Sequence, residues 1–214
     1  MKKTILIFIA LINVFSFQIL AQKKFEIADY AKMVSLSDPQ ISPDEKSVVI
    51  VVSRPDYDKN RYNPELVLIN VASGKKTTLT QNRLAVSSPR WSPNGEQLAF
   101  ISKDGESKES KNQIFLLSMQ GGEAKQITKA PKGVQHFAWS PNSIEIAYAS
   151  LNEPKNKAEI EKGFTAFEIA NNDMFVGSQP LPAHIWLVNT STSENKSLTD
   201  GEWTLPLVIP PGSP

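Results

Sequence analysis

Short apolar segments alternate with turn-forming residues along most of this chain, a pattern that predicts β-structure. Three of these segments follow a Ser-Pro pair and indicate strands, at residues 47–52, 97–102 and 144–150. The first includes five consecutive apolar residues, 48–52, which predict a strand buried on both faces. In the third, Ile144, Ile146 and Tyr148 alternate with smaller or charged residues, which predicts a strand with one bulky face.

Each strand is followed by a second unit of strand, turn and strand, which ends in Leu-Thr or Ile-Thr. These units close at Thr80, Thr128 and Thr199. Ser73-Gly74 and Gly121-Gly122 stand where two of the hairpins must reverse direction. Two strands around the Ser-Pro turn and two around the hairpin make one four-stranded unit, and the pattern occurs three times.

The Ser-Pro turns belong to a motif whose fullest copy reads Trp-Ser-Pro-Asn-Gly. We assign to this structural motif Ser42, Pro43, Trp91, Ser92, Pro93, Gly95, Trp139, Ser140 and Pro141. Proline at the second position presets φ for a type I turn. Glu45 and Ser143 replace the final glycine in the other copies. Because the fourth residue of a type I turn does not require a left-handed backbone, we expect both to fit without it.

The turns stand at residues 42, 92 and 140, a period of about fifty residues that is typical of β-propeller blades. The sequence therefore predicts an all-β fold, a partial propeller of about three four-stranded blades plus the start of another. Pro210 and the residues after it stand where the next Trp-Ser-Pro is due. We expect an open array without a C-terminal α/β-hydrolase domain, with one apolar blade face uncovered at each end.

The third repeat is longer than the others, and its extra residues lie at 151–183. Part of this insertion, residues 154–162, is rich in charged side chains and predicts a short helix or a solvated loop. Insertions in propellers fall in loops, which often lie on a functional face. A surface excursion without function is the other interpretation, because long loops cost little free energy.

The N-terminus differs from the rest of the chain. Lys2 and Lys3 precede an apolar run that ends near Ala21, which predicts a secretory signal peptide at residues 1–21 and a propeller domain at 22–214. An uncleaved signal anchor is the alternative, but the run is shorter than the about 20 clean apolar residues that a spanning helix prefers. We therefore expect a secreted or periplasmic protein with no stable membrane span after cleavage.

Composition excludes several kinds of chemistry. The net charge is +1, from 23 basic and 22 acidic residues, which gives no electrostatic reason to expect nucleic acid as a partner. The chain has no cysteine, so disulfides, thiolate catalysis and cysteine-bound zinc are impossible. Asp56, Asp58 and Glu65 lack the spacing of a calcium loop, and residues 103–111 mix both signs of charge, so we interpret both as solvated loops. We expect no cofactor and no metal.

The sequence also lacks the residues of a hydrolytic site. There is no Gly-x-Ser-x-Gly elbow to present a serine nucleophile. A Ser-His-Asp triad would have to use His136 or His184, and both positions fit ordinary blade residues. Trp91, Trp139 and Trp186 recur in register with the repeat, so we expect core between blades rather than ligand platforms. We therefore assign no catalytic residue to this chain.

Several stretches resemble the N-terminal propeller of the prolyl oligopeptidase group of serine peptidases, especially its secreted acylaminoacyl-peptidase and dipeptidyl-peptidase-like members. The resemblance covers roughly residues 25–214, and it is carried by Ser37–Asp44, Pro89–Gly95, His184–Val188 and Leu198–Gly201. The Trp-Ser-Pro-x-Gly motif is shared with TolB-like periplasmic propellers, so by itself it indicates the fold and not the peptidase.

The resemblance implies a propeller that caps a hydrolase domain and admits short peptides but not folded proteins. On this interpretation the chain is the substrate-gating part of a secreted serine peptidase, present as a fragment without the catalytic residues. Its partner would be a peptide substrate reached through the missing hydrolase domain. The alternative is a non-enzymatic, TolB-like periplasmic propeller that binds proteins or glycans.

Overall fold

A computed structural model describes residues 24–164, 181–201 and 203–205 of the chain. The chain divides into two compact units, Met1–Met33 and Val34–Pro214. The described part of the first unit contains one helical turn, α1 (Ile27–Tyr30). The predicted signal peptide at residues 1–21 lies outside the described residues and stays a prediction. No helix in the described ranges combines the length and the apolar character needed to cross a membrane.

The described part of the second unit is almost entirely β-structure. A single short helix, α2 (Lys157–Glu161), lies between the tenth and eleventh strands of this part. The strands in chain order are β1 (Ser35–Ile41), β2 (Ser47–Asp56), β3 (Arg61–Asn70), β4 (Lys76–Thr78), β5 (Ser87–Trp91), β6 (Gln97–Lys103), β7 (Asn112–Ser118), β8 (Lys125–Gln126), β9 (Val134–Trp139), β10 (Glu145–Leu151), β11 (Ala183–Asn189) and β12 (Asn195–Ser197).

These strands form three four-stranded antiparallel sheets, each built from four consecutive strands in chain order. We call them blade 1 (β1–β4), blade 2 (β5–β8) and blade 3 (β9–β12). Hairpin connection of neighbouring strands within each sheet is how propeller blades are built. The prediction of an all-β, open partial propeller with three four-stranded blades is confirmed. The predicted start of another blade falls mostly on residues 206–214, outside the described residues.

Two strands differ from their predicted bounds. β2 continues to Asp56 and pairs without interruption with β3, from Ser47 opposite Asn70 to Asp56 opposite Arg61. This pairing extends the hairpin beyond the predicted end at residue 52. Ile144, predicted to open the bulky face of a strand, lies before β10 and is 51% exposed. The buried face of β10 therefore begins at Ile146.

Two apolar clusters join the blades. The first lies between blades 1 and 2, and it includes Val49, Val51, Leu66, Leu98, Phe100, Phe115 and Leu117. The second lies between blades 2 and 3, and it includes Ala99, Ile101, Ile114, Leu116, Val134, Ile146, Tyr148 and Val188. Successive residues of β6 and β7 alternate between the two clusters, because side chains of a strand point to opposite faces. Blade 2 is thus buried on both faces.

The tryptophans of the repeat motif connect neighbouring blades through hydrogen bonds as well as packing. Trp91 Nε1 donates to the main-chain oxygen of Gln40 at 3.2 Å, and Trp139 Nε1 donates to that of Arg90 at 3.0 Å. Each indole therefore binds the first strand of its own blade to the first strand of the preceding blade. The Arg90 guanidinium adds an ion pair between blades 1 and 2, 2.9 Å from the Asp38 carboxylate.

The three Ser-Pro turns share one geometry, and it differs from our expectation at the fourth residue. The main-chain amide of this residue donates to the serine carbonyl, at distances between 2.8 and 3.0 Å. Its backbone is left-handed in every copy, with φ of +61° at Glu45, +74° at Gly95 and +61° at Ser143. The expectation that the fourth residue of the turn does not need a left-handed backbone is therefore wrong. A type I turn in a hairpin is commonly followed by a left-handed residue, which lets the strands keep pairing.

The outward faces of the two end blades are apolar. On blade 3, the face opposite to the buried cluster includes Ala138, Ala147, Ala149, Ile185 and Leu187, none of them fully buried, and also the exposed His136 and the buried Ala183. On blade 1 the corresponding face includes Leu36 and Ile41, which are 63% and 66% exposed. These faces resemble the covered faces of blade 2 in composition, but no blade of the described structure covers them.

Candidate functional site

A cavity of about 480 Å³ opens between blades 2 and 3, and it is the best-formed candidate for a binding site in the described residues. We call it the inter-blade cavity. Side chains of the second, third and fourth strands of blade 3 form one wall, and the link from β8 to β9 forms another. The residues used below are Lys129, Pro131, Tyr148, Asn152, Glu153, His184, Trp186 and Asp200.

Tyr148 contributes an aromatic surface and a fixed hydroxyl. Its side chain is buried within the cluster between blades 2 and 3, and its hydroxyl donates to Asn195 Oδ1 at 2.8 Å. Burial raises the pKa of Tyr148 from 10.0 to about 12, because the phenolate would lose its hydration. The hydroxyl is therefore a hydrogen-bond donor throughout the neutral pH range, and it has no role as a base.

His184 is held by hydrogen bonds on both ring nitrogens. Nε2 lies 3.1 Å from the main-chain oxygen of Trp203, and Nδ1 lies 3.3 Å from Asn152 Nδ2. Since a carbonyl oxygen only accepts, the ring hydrogen is on Nε2, and Nδ1 accepts from the Asn152 amide. The imidazole also packs against the Trp203 indole, with ring centroids 5.2 Å apart. These contacts give His184 a structural role.

His136, the second histidine, is exposed on the opposite face of blade 3. Within the described ranges, neither histidine shares a hydrogen bond with a serine hydroxyl or a carboxylate. The arrangement needed for a nucleophile and its base is therefore not present in the part of the chain that the structure describes.

Two buried polar atoms of the cavity residues have no hydrogen-bond partner among the described residues. They are the indole Nε1 of Trp186, a donor, and Oδ1 of Asn152, an acceptor. Buried polar atoms normally have partners, so unpaired atoms beside a cavity indicate groups that a ligand can satisfy. Trp186 differs here from Trp91 and Trp139, because it packs against the inter-blade cluster but also lines a cavity.

The charges around the cavity are mixed. The carboxylates of Glu153 and Asp200 line it together with the ammonium group of Lys129. Glu153 is already paired with Lys157, at 2.6 Å, and this hydrogen bond raises the pKa of Lys157. Both groups are exposed, so the pair is screened by water. Asp200 is then the carboxylate that balances Lys129.

The insertion contributes to the rim. Residues 151–153, where it begins, line the cavity, and its charged stretch forms the short helix α2. Residues 165–180 lie outside the described residues. The sequence singled out the insertion but not the cavity, since the cavity forms where blade 3 packs beside the link from β8 to β9. The one local signal was Trp186, an aromatic residue close behind the insertion.

The acidic cluster and the charged loop have local partners. Asp56 accepts hydrogen bonds from Asn63 Nδ2 and from the main-chain amide of Lys59, and these bonds lower its pKa. Asp104 Oδ1 accepts from the amide of Lys111 across the charged loop. In the residues that the structure describes, no group of three or more His, Asp or Glu side chains is placed to hold a metal ion.

The described residues therefore form a β-propeller portion with a cavity between two of its blades. No family model matches the chain. Among curated proteins it is similar to the uncharacterized peptidase YuxL of Bacillus subtilis, with 33% identity over 82 residues, 38% of this chain and 12% of that protein. It is also similar to dipeptidyl-peptidase 5 of Porphyromonas gingivalis, with 31% identity over 74 residues, 35% of this chain and 11% of that protein.

Solved structures share the fold at low identity. The Pyrococcus horikoshii acylaminoacyl peptidase has a TM-score of 0.63 at 18% identity, and the match covers 82% of this chain and 26% of that one. The β-propeller domain of the Trilobed protease from Pyrococcus furiosus has a TM-score of 0.54 at 19% identity, covering 78% and 44%. TolB from Acinetobacter baumannii has a TM-score of 0.50 at 16% identity, covering 79% and 33%.

These comparisons confirm the resemblance predicted from the sequence. The chain is similar to the propeller portion of peptidases, by sequence to two curated peptidases and by fold to a peptidase and to a protease propeller domain. The matched segments span only about an eighth of the length of the curated relatives.

Proposed function

We propose that this chain is the substrate-gating propeller of a larger secreted serine peptidase that acts on short peptides. The observation that carries the proposal is the similarity to two peptidases, each matched over a small part of its length. On this proposal the catalytic residues belong to a hydrolase portion outside the 214 residues. The predicted signal peptide at residues 1–21 supports export, and a mature N-terminus at Gln22 is the expected result of N-terminal sequencing.

The exposed apolar faces of blades 1 and 3 support the view that the chain functions within a longer protein. Ala147, Ala149 and Ile185 form a flat, small-residue surface of the kind that blade 2 buries against its neighbours. Exposing such surfaces to water costs about 25 cal/mol per Å² of apolar area. Further blades would cover them and close the propeller in front of the hydrolase portion.

The test begins with the DNA sequence read in frame beyond codon 214. We expect more Trp-Ser-Pro repeats, then a Gly-x-Ser-x-Gly elbow followed by an aspartate and a histidine. The expressed full-length protein should react with a fluorophosphonate probe and should cleave short peptides faster than long ones. The hydrolase portion produced without the propeller is the control, and it should lose the preference for short peptides. A full-length protein with no serine elbow and no labelling would overturn the proposal.

A TolB-like binding propeller is the second candidate. The fold similarity to TolB and the lack of a catalytic pair in the described residues favour it. It predicts further blades without a serine elbow, no reaction with the fluorophosphonate probe, and a protein or glycan partner recovered by affinity capture from the periplasm. The in-frame DNA sequence separates the two candidates before any protein is made.

A further inference from the structure

One hydrogen bond recurs in all three blades and aligns them residue by residue. In each repeat the closing threonine accepts, through its hydroxyl oxygen, from a main-chain amide of the third strand. The distances are 2.9, 2.8 and 2.9 Å for Leu66 to Thr80, Ile114 to Thr128 and Ile185 to Thr199. Phe115 of blade 2 is therefore equivalent to Trp186 of blade 3, since each follows the bonded residue directly.

In the gap between blades 1 and 2, an arginine covers an aromatic pair. Phe100 and Phe115 are stacked, with ring centroids 5.8 Å apart. The guanidinium carbon of Arg83 lies 4.5 Å from the centroid of Phe115 and 5.8 Å from that of Phe100. Its Nη2 donates to the main-chain oxygen of Ala124 at 3.2 Å. A cation over an aromatic face is attracted by the ring electrons, so this gap has its own internal cation.

The gap between blades 2 and 3 has aromatic residues at the same two positions, but in the described residues no arginine lies over them. Tyr148 stands at the position of Phe100, the same distance after its Ser-Pro turn, and Trp186 stands at the position of Phe115. Arg83 follows Thr80 in the link between blades, and the matching residue after Thr128 is Pro131. Proline has no side-chain charge or donor. The inter-blade cavity, lined by Tyr148, Trp186 and Pro131, lies in this gap.

We propose that the inter-blade cavity binds the guanidinium group of an arginine side chain of a peptide or protein partner, stacked on Trp186 as Arg83 stacks on Phe115. Asn152 Oδ1, buried and unpaired among the described residues, accepts a hydrogen bond from the guanidinium. Trp186 Nε1, also unpaired there, donates to a carbonyl of the bound chain. The site goes beyond the gating role and does not depend on it.

The charged residues at the rim of the cavity change its affinity for a cation, but they do not select arginine. Asp200 favours a cation, whereas Lys129 opposes one, and Glu153 is engaged by Lys157. In the gap between blades 1 and 2, the residue equivalent to Lys129 is the neutral Gln81, two positions before Arg83. Selection of arginine therefore rests on the aromatic surface and the amide oxygen. The variant Lys129→Gln should strengthen binding, and Asp200→Asn should weaken it.

The experiment measures binding of two probes to the full-length protein by isothermal titration calorimetry. N-acetyl-arginine methylamide carries the cation, and N-acetyl-citrulline methylamide is its neutral match in shape. We expect the arginine probe to bind at least about tenfold more tightly, the scale of a desolvated cation–π contact. The variant Pro131→Arg supplies an internal guanidinium, as Arg83 does, and should abolish binding. Gln120→Arg adds the same charge on an exposed turn of blade 2 and should leave binding unchanged.

Three results would overturn the proposal: equal affinity for the two probes, no binding of either, or unchanged arginine binding in Pro131→Arg. Circular dichroism checks that this variant is folded. If Pro131→Arg does not fold, the test rests on the affinities of Lys129→Gln and Asp200→Asn for the arginine probe. Unchanged affinity in both of these variants would also overturn the proposal. The titrations do not involve peptide hydrolysis, so their failure is distinguishable from failure of the peptidase proposal.

Discussion

At the scale of single residues, the serine hydroxyl of the Ser-Pro turn stabilises the turn in two of the three copies. Ser92 is fully buried, and its hydroxyl donates to Asn94 Oδ1 at 2.7 Å and accepts from the amide of Gln97 at 2.9 Å. Ser42 makes the same contacts, and its bond to Asp44 lowers the pKa of that carboxyl group. In the third copy the hydroxyl of Ser140 makes neither bond within the described structure.

This difference between copies predicts unequal effects of removing the hydroxyl. Ser92→Ala should destabilise blade 2 by about 1–3 kcal/mol, because the Gln97 amide loses its buried partner. Ser140→Ala is the matched control and should change stability by less than about 0.5 kcal/mol. Hydrogen exchange of β6 and β10 in the full-length protein measures the two effects separately. If hydrogen exchange accelerates as much in β10 of Ser140→Ala as in β6 of Ser92→Ala, the assigned role of the hydroxyl is contradicted.

Tyr148 provides a prediction of pH dependence. Its folded-state pKa is raised to about 12, so the folded form holds its proton more tightly than the unfolded form, whose pKa is 10.0. The stability from this group is fully present below pH 10 and is lost as the pH rises toward 12. In an absorbance titration at 295 nm, Tyr148 should ionise in a late step near pH 12. Tyr148→Phe should remove that late step, and an unchanged titration would contradict the assignment.

At the scale of elements, neighbours decide which strand is buried on both faces. The sequence placed such a strand at residues 48–52, but Val48 and Ile50 are only half-buried on the outward face of blade 1. The strands with both faces buried are β6 and β7, since blade 2 lies between two blades. Apolar content predicted which strands could be buried, and position in the stack selected the ones that are.

The links between blades are as constrained as the strands. Gly133, between β8 and β9, has a φ of +79°, and an added Cβ would lie 3.2 Å from the backbone N and O of Asn112. Gly133→Ala should therefore lower stability by more than the about 1 kcal/mol that a left-handed alanine costs by itself. Gly74→Ala is the control, with a φ of +67° and open space. Thermal unfolding should show a larger drop in melting temperature for Gly133→Ala than for Gly74→Ala. Equal drops would show that the close contact at Gly133 does not reduce stability.

At the scale of the whole molecule, the outward apolar faces of blades 1 and 3 dominate the expected behaviour in solution. Exposed, flat sheet faces with apolar side chains favour association between copies. The internal stability of the array comes from two inter-blade clusters, and blade 2 has a share in both. The end blades thus gain only half of the packing that blade 2 has in the described structure.

We therefore predict that residues 22–214, produced by themselves, are marginally stable or aggregate. Charged substitutions on the outward face of blade 3, Ala147→Lys together with Ala149→Glu, should increase the monomer fraction in sedimentation velocity. The same charges at the exposed Gln120 and Thr192 are the control and should have no such effect. A monodisperse monomer of the unmodified protein with a sharp, reversible melt would contradict the prediction.

The sequence by itself determined the repeat, the strand order within each blade and the serine-proline turns. These features depend on residues near one another in the chain: a proline that presets φ, a threonine that closes each hairpin and the alternation of side chains along a strand. The sequence did not indicate the left-handed backbone at Glu45 and Ser143, which the twist of the paired strands imposes. Only the tertiary structure decided which strands have both faces buried and where the inter-blade cavity opens, because both depend on how segments distant in the chain pack together. Trp186 and Pro131 have no special meaning in sequence until packing places both of them in the lining of one cavity.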